Sequence, residues 1–108
     1  MKSVTGQRTI IVPENIQVNA GNHSFSLSYY DFIKAILEAE KVAETVGVVT
    51  LIEVARLFEN AKIGETVHLG ENVWNALVYF VEHPSKIRGE FILQIADFFR
   101  IFLNAPKV

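Results

Sequence analysis

Glu90-Phe91-Ile92-Leu93-Gln94-Ile95-Ala96-Asp97-Phe98-Phe99-Arg100-Ile101-Phe102-Leu103-Asn104 is the stretch that decides the fold. It holds five large aliphatic residues and four phenylalanines in fifteen positions. Between its polar ends, Glu90 and Asn104, only Gln94, Asp97 and Arg100 are polar. They lie three apart, so a helix would gather them on one narrow stripe. A helix apolar nearly all round must be buried on more than one side. The spacing predicts a helix from about Glu90 to Asn104, closed by Pro106. Two readings follow. Either this helix is central and the rest of the chain wraps it, or Phe98, Ile101 and Phe102 form a surface for another chain, since large exposed apolar patches mark interaction sites. In 108 residues a full wrap is tight, which tilts the expectation slightly towards another chain.

The elements available to wrap it are read backwards from this point. Ser85-Lys86-Ile87-Arg88-Gly89 is a charged connector. Before it, Val73, Trp74, Leu77, Val78 and Val81 form the stripe of a helix over Glu71–Glu82. Gly70 precedes that helix and Pro84 ends it, because the residue before proline is pushed out of the α region. Glu65-Thr66-Val67-His68-Leu69 is a short extended piece able to add a third strand. Thr50-Leu51-Ile52-Glu53 has the form of a capping box, with Val49 and Val54 as its staple. It predicts a helix that ends between Asn60 and Gly64. Ser28-Tyr29-Tyr30-Asp31 is a second box, stapled by Leu27 and Phe32. Its helix is expected to run on through Glu44 towards Gly47. Ile16-Gln17-Val18 and Phe25-Ser26-Leu27 alternate about the turn residues Asn19–Asn22, which predicts a hairpin with one buried face. Thr9-Ile10-Ile11-Val12 is β-branched and ends at Pro13. The expected fold is α+β, mainly α: an N-terminal β-hairpin packed on a bundle of about four helices. Residues 1–8 are expected to be a flexible N-terminus and residues 9–108 a single compact domain.

Composition narrows the function classes. Half of the residues are hydrophobic, 20% are charged, and the net charge is -2. Basic and acidic residues are interspersed, with no stripe of the kind that binds nucleic-acid backbone, so no nucleic acid is expected. No apolar run reaches the roughly 18 residues of a membrane span, so no membrane is expected. There is no cysteine, which favours a reducing compartment. No signal-type apolar segment follows Met1–Arg8. The expected location is cytoplasmic, meaning the host cytoplasm or the virion if the protein is viral.

Catalytic and cofactor motifs are missing. His23, His68 and His83 have no companions at metal-ligand spacing. Asp31 is explained as a capping residue and Asp97 by the polar stripe. The glycines punctuate elements and never cluster, so no phosphate loop or dinucleotide fingerprint is present. The expectation is a non-enzyme with no cofactor and no metal. Interface candidates are Tyr29, Tyr30, Trp74, Lys86, Arg88, Phe98, Ile101 and Phe102. Tyrosine, tryptophan and arginine are enriched at binding hot spots, although Tyr29, Tyr30 and Trp74 fit core packing as well. Lys86–Arg88 fits a solvated loop or a contact with an acidic partner.

Chain order adds a resemblance. Arg8-Thr9-Ile10-Ile11-Val12-Pro13 leads into Phe25-Ser26-Leu27-Ser28-Tyr29-Tyr30-Asp31-Phe32-Ile33. Arg56-Leu57-Phe58-Glu59-Asn60-Ala61 precedes Gly64-Glu65-Thr66-Val67-His68-Leu69. A Trp-containing helix then ends at Glu82-His83-Pro84-Ser85, and the apolar stretch ends at Asn104-Ala105-Pro106. This layout resembles the small accessory proteins encoded among the structural genes of tailed bacteriophages. The resemblance implies a virion component, an assembly factor or a binder of a host target, and it assigns no functional residue. The expected function is a protein-interaction module with a protein partner or self-association, a homo-oligomer being expected. The alternative is a small regulatory binder that inhibits a host enzyme or nucleoprotein complex.

Overall fold

The hairpin forms where its turn chemistry places it. Strands β2 (Ile16–Ala20) and β3 (His23–Leu27) pair antiparallel, with Val18 opposite Phe25 and Ile16 opposite Leu27. Gly21, at φ +62°, opens the two-residue turn, and such a backbone suits glycine. The computed structural model, which describes residues 7–107, shows an α+β fold with more helices and a different strand pairing than expected. Strand β1 (Gln7–Ile11) pairs antiparallel with β4 (Thr66–Gly70), with Ile10 opposite Val67, 57 residues later, and forms a second two-stranded sheet. Gln7 and Arg8 therefore belong to a strand and not to a flexible leader, while residues 1–6 lie outside the described residues.

Among the described residues six helices follow from the same sequence signals, two of them by breakage. Helix α1 (Tyr29–Leu37) starts as predicted: the Ser28 hydroxyl accepts from the Asp31 N–H at 3.1 Å, and the Asp31 carboxylate accepts from the Ser28 N–H at 3.4 Å. It stops at Leu37, short of Glu44. The chain tightens through Ala39 N–H to Ile36 C=O and turns at Lys41, φ +72°, which brings Ala39 and Val42 inward. A short α2 (Val42–Val46) follows. Helix α3 (Val48–Asn60) begins at Gly47, whose φ of +85° redirects the chain and whose carbonyl accepts from Leu51. Thr50 thus sits inside the first turn and caps nothing, and Val49 is 70% exposed, so the predicted box and staple do not form. Helix α4 (Glu71–Glu82) matches its predicted bounds.

The predicted Glu90–Asn104 helix is two helices, α5 (Gly89–Ile92) and α6 (Ala96–Leu103). The break lies at Leu93–Ile95, and Gln94 explains what it gains. The Gln94 side-chain amide accepts from the Asn19 N–H (2.8 Å) and donates to the Asn19 carbonyl (3.0 Å), as a neighbouring strand would. It also donates to the Glu90 carbonyl at 3.2 Å. Past the break, Ile95, Phe98 and Phe102 enter the core, at 1%, 0% and 0% exposure. The chain's own residues therefore cover Phe98 and Phe102. Tyr29 (1%) packs with Phe32, Phe58 and Phe98, and Trp74 (8%) stacks on Phe102 at 6.0 Å while donating its indole N–H to the Phe102 carbonyl.

One cluster joins the distant parts. The Arg8 guanidinium donates twice to the Glu71 carboxylate (3.0 and 3.1 Å) and once to the Ala105 carbonyl (3.0 Å), and lies 4.1 Å above the Trp74 ring. Thr9 N–H donates to the Pro106 carbonyl at 3.0 Å. The Glu71 carboxyl is held below the usual glutamate range, first by the Arg8 hydrogen bonds and against the opposing effect of desolvation.

Burial of Tyr29 has the opposite sense. Its hydroxyl is buried without a hydrogen-bond partner, and burial pushes its ionisation well above the ordinary tyrosine value. An unsatisfied buried hydroxyl costs free energy that a phenyl ring avoids.

Three outcomes follow. Tyr29→Phe raises unfolding stability by about 1 kcal/mol in urea titrations. Phe98→Asp leaves the chain unfolded by circular dichroism, because it buries a carboxylate without a partner. Glu71→Gln removes a pH dependence: a depressed folded pKa contributes stability above the unfolded value, near about 4.3, that is lost as pH falls through the folded value. Urea midpoints of the wild type and Glu71→Gln, measured from neutral pH down to about pH 3, converge at the acid end.

Candidate functional site

Two surfaces stand out among the described residues once the core is assigned, and neither centres on the most apolar residues of the sequence. Tyr29, Trp74, Phe98 and Phe102 are core residues, because aromatic neighbours from several elements close over them. In this fold they offer no surface to another chain. Tyr30 is half-buried against the core at the start of α1. Ile101 is half-buried and lines two shallow grooves, one with Pro13 and Ile16 and one with Thr9 and Ile11. Lys86 and Arg88 are exposed.

The first surface forms around these two cations. The segment after α4 folds back beside the hairpin and α1, leaving a cleft of about 230 Å³. Val18, Leu27 and Phe32 line it from one side and Ile87 and Phe91 from the other. Phe25, 44% exposed, stands over it and meets Phe91 edge-on at 6.3 Å. The predicted buried face of the hairpin is thus only half realised: Val18 is core, but Phe25 is open to solvent. Lys86, Arg88 and Asp31 supply the charged groups. Asp31 is engaged in the α1 cap. Arg88 reaches Glu90 at 3.5 Å, with both side chains mostly in water, where such pairs contribute little. Lys86 has no ion-pair partner among the described residues.

The second surface is a groove of about 690 Å³ between α3 and β4. Glu53, Arg56, Leu57 and Asn60 form its helical wall, and Thr66 and His68 its strand side. Leu57 is 46% exposed there, and Val48, Val49 and Ile52 continue the exposed apolar character of α3 towards its start. This surface was not anticipated. Its signal was present in the apolar surplus of Val48-Val49-Thr50-Leu51-Ile52, which exceeds what one buried stripe can absorb. The open edge of β4 had no signal of its own, because the pairing that defines it is long-range.

The three histidines do not converge. His23 starts β3, His68 lies on β4, and His83 ends α4 with its ring stacked on Tyr79 at 4.4 Å. Among the described residues no group of three His, Asp or Glu side chains is placed to hold a metal ion. No helix among them is long and apolar enough to cross a membrane. The chain matches no protein-family model, no curated protein sequence and no solved structure.

Proposed function

We propose that the protein is a non-enzymatic protein-interaction module that serves as a virion or assembly accessory protein of a tailed bacteriophage. The observation that carries the binding role is the cleft under Phe25. It combines an apolar interior with two exposed cations at Lys86 and Arg88. Its volume suits one large apolar side chain of a partner. An acidic residue next to that anchor would meet Lys86, whose charge is otherwise unpaired among the described residues. Apolar anchors in pockets dominate protein interfaces, and charges at the rim set orientation and on-rate. The phage setting is supported by the layout resemblance alone.

A second reading is a regulatory binder of a host enzyme or nucleoprotein complex. The same Lys86–Arg88 rim favours it, because an acidic host surface would be met by the same charges.

A photo-crosslinking residue placed at Ile87 in cells that make the protein is expected to capture phage structural proteins. The Lys86→Glu, Arg88→Glu double variant is expected to fold normally and lose that product. Capture of a host enzyme or nucleoprotein would establish the second reading, and no specific product at Ile87 would remove the cleft from consideration.

A further inference from the structure

The open edge of β4 is a second and independent feature. Strand direction fixes which of its backbone groups are free. Thr9 turns its N–H away from β4, to Pro106, while Val12 N–H donates to the Glu65 carbonyl. In an antiparallel ladder, residues alternate between facing the partner strand and facing away. Thr9 is opposite His68, and Ile11 is opposite Thr66. His68 and Thr66 therefore point their N–H and C=O groups away from β1, towards the α3 groove. Among the described residues no backbone or side-chain hydrogen bond reaches them from that side.

Other strand edges are handled differently. The outer edge of β1 is covered at Arg8 and Thr9 by Pro106 and Lys107, and Asn19 of β2 is covered by the Gln94 amide. The outer edge of β3 is open, but no comparable groove stands beside it; the cleft lies on the face of that strand. An unblocked edge is a template for another strand. Beside β4 stands the α3 wall, with exposed Leu57 and two charges of opposite sign, Glu53 and Arg56. Neither charge has an ion-pair partner among the described residues.

We propose that this edge is the seam of a two-fold homodimer in which β4 pairs antiparallel with β4 of a second copy. The two β1–β4 sheets become one sheet of four strands. Centred on Val67, the pairing sets Thr66 opposite His68 of the second copy and reciprocally, so that Thr66 and His68 of each strand gain partners. The two-fold axis runs perpendicular to the sheet, so both α3 helices lie on the same face and run antiparallel. A surface carrying one charge of each sign is then self-complementary, because Arg56 of one copy meets Glu53 of the other twice over. Leu57 leaves solvent at the same seam. The occupant is a second copy because the groove wall offers both signs at neighbouring turns. A uniformly acidic or basic peptide would meet a like charge there.

Sedimentation velocity of the full chain tests this. The expected result is a dimer whose fraction rises with concentration. Thr66→Pro, which deletes an N–H not used in the β1 ladder, is expected to leave monomer with an unchanged circular dichroism spectrum. Arg56→Glu, a fully surface change, is expected to weaken dimerisation about tenfold, and Glu53→Arg in the same chain to restore it. Should Thr66→Pro unfold the chain, the charge reversal and its rescue decide alone. A chain that stays monomeric at every concentration, or a dimer indifferent to Arg56→Glu, overturns the proposal. A monomer that still cross-links its partner through Ile87 overturns the dimer and leaves the cleft reading intact.

Discussion

The Arg8 guanidinium is the constraint on which the rest of the structure depends. It reaches the carboxylate that opens α4, a carbonyl next to the C-terminal strand-like segment, and the face of Trp74. Its reach is set by strand register. Arg8 and Ile10 share one face of β1, and Ile10 is 1% exposed. A slip of one residue against β4 would turn both side chains to the opposite face. The ion cluster and the burial of Ile10 therefore select the same register. Glu71 lies in the first turn of α4, where a carboxylate also meets the positive end of the helix dipole. Trp74, one turn further on, carries the effect inwards by stacking on Phe102 and donating to its carbonyl. In this way one surface-proximal cation fixes the β1–β4 sheet, the start of α4 and the end of α6 relative to one another.

The C-terminal stretch shows a second compromise, between helix continuity and polar satisfaction. A continuous helix from Glu90 to Asn104 would keep its own backbone hydrogen bonds but leave Asn19 on the β2 edge unpaired. Breaking at Leu93–Ile95 forfeits part of the helical ladder and lets the Gln94 amide take the place of a strand neighbour. Ile95, Phe98 and Phe102 become core, whereas Leu93 is left 86% exposed. The apolar surplus that made the stretch conspicuous is thus absorbed by a kink and by the chain's own elements.

What the sequence made legible was local. The Ser28 cap, the Gly21 turn and the bounds of α4 each rest on residues within a few positions of one another, and each formed as its chemistry dictates. The readings that failed involved competition from further away or from a stronger local breaker. Thr50-Leu51-Ile52-Glu53 has a capping pattern, but Gly47 turns the chain first and moves Thr50 inside the helix. The kink at Gln94 depends on Asn19, 75 residues earlier, and the Arg8 cluster on partners 63 and 97 residues later. No periodicity records such pairings. For the same reason the interface candidates divided: Tyr29, Trp74, Phe98 and Phe102 went to the core, and the cations of a short connector came to rest beside an apolar cleft.

The two proposed surfaces differ in how far they are organised before any partner arrives. The cleft has core residues Val18 and Phe32 in one wall, but its rim is a connector, 83–88, and a strand β3 that is largely exposed, so the rim has few fixed neighbours. The β4 edge is the reverse. Its inward residues Val67 and Leu69 are 4% and 2% exposed, and its inner hydrogen bonds are tied to the strand that carries Arg8. A strand pinned on one side presents the groups on its other side at fixed spacing, and a fixed geometry lowers the ordering cost of association. The proposed assembly would therefore rest on the stability of the β1–β4 sheet. Loosening the Arg8–Glu71 contact would free β1, and with it the strand that holds the β4 edge in register, whereas loosening the connector would leave that edge unchanged.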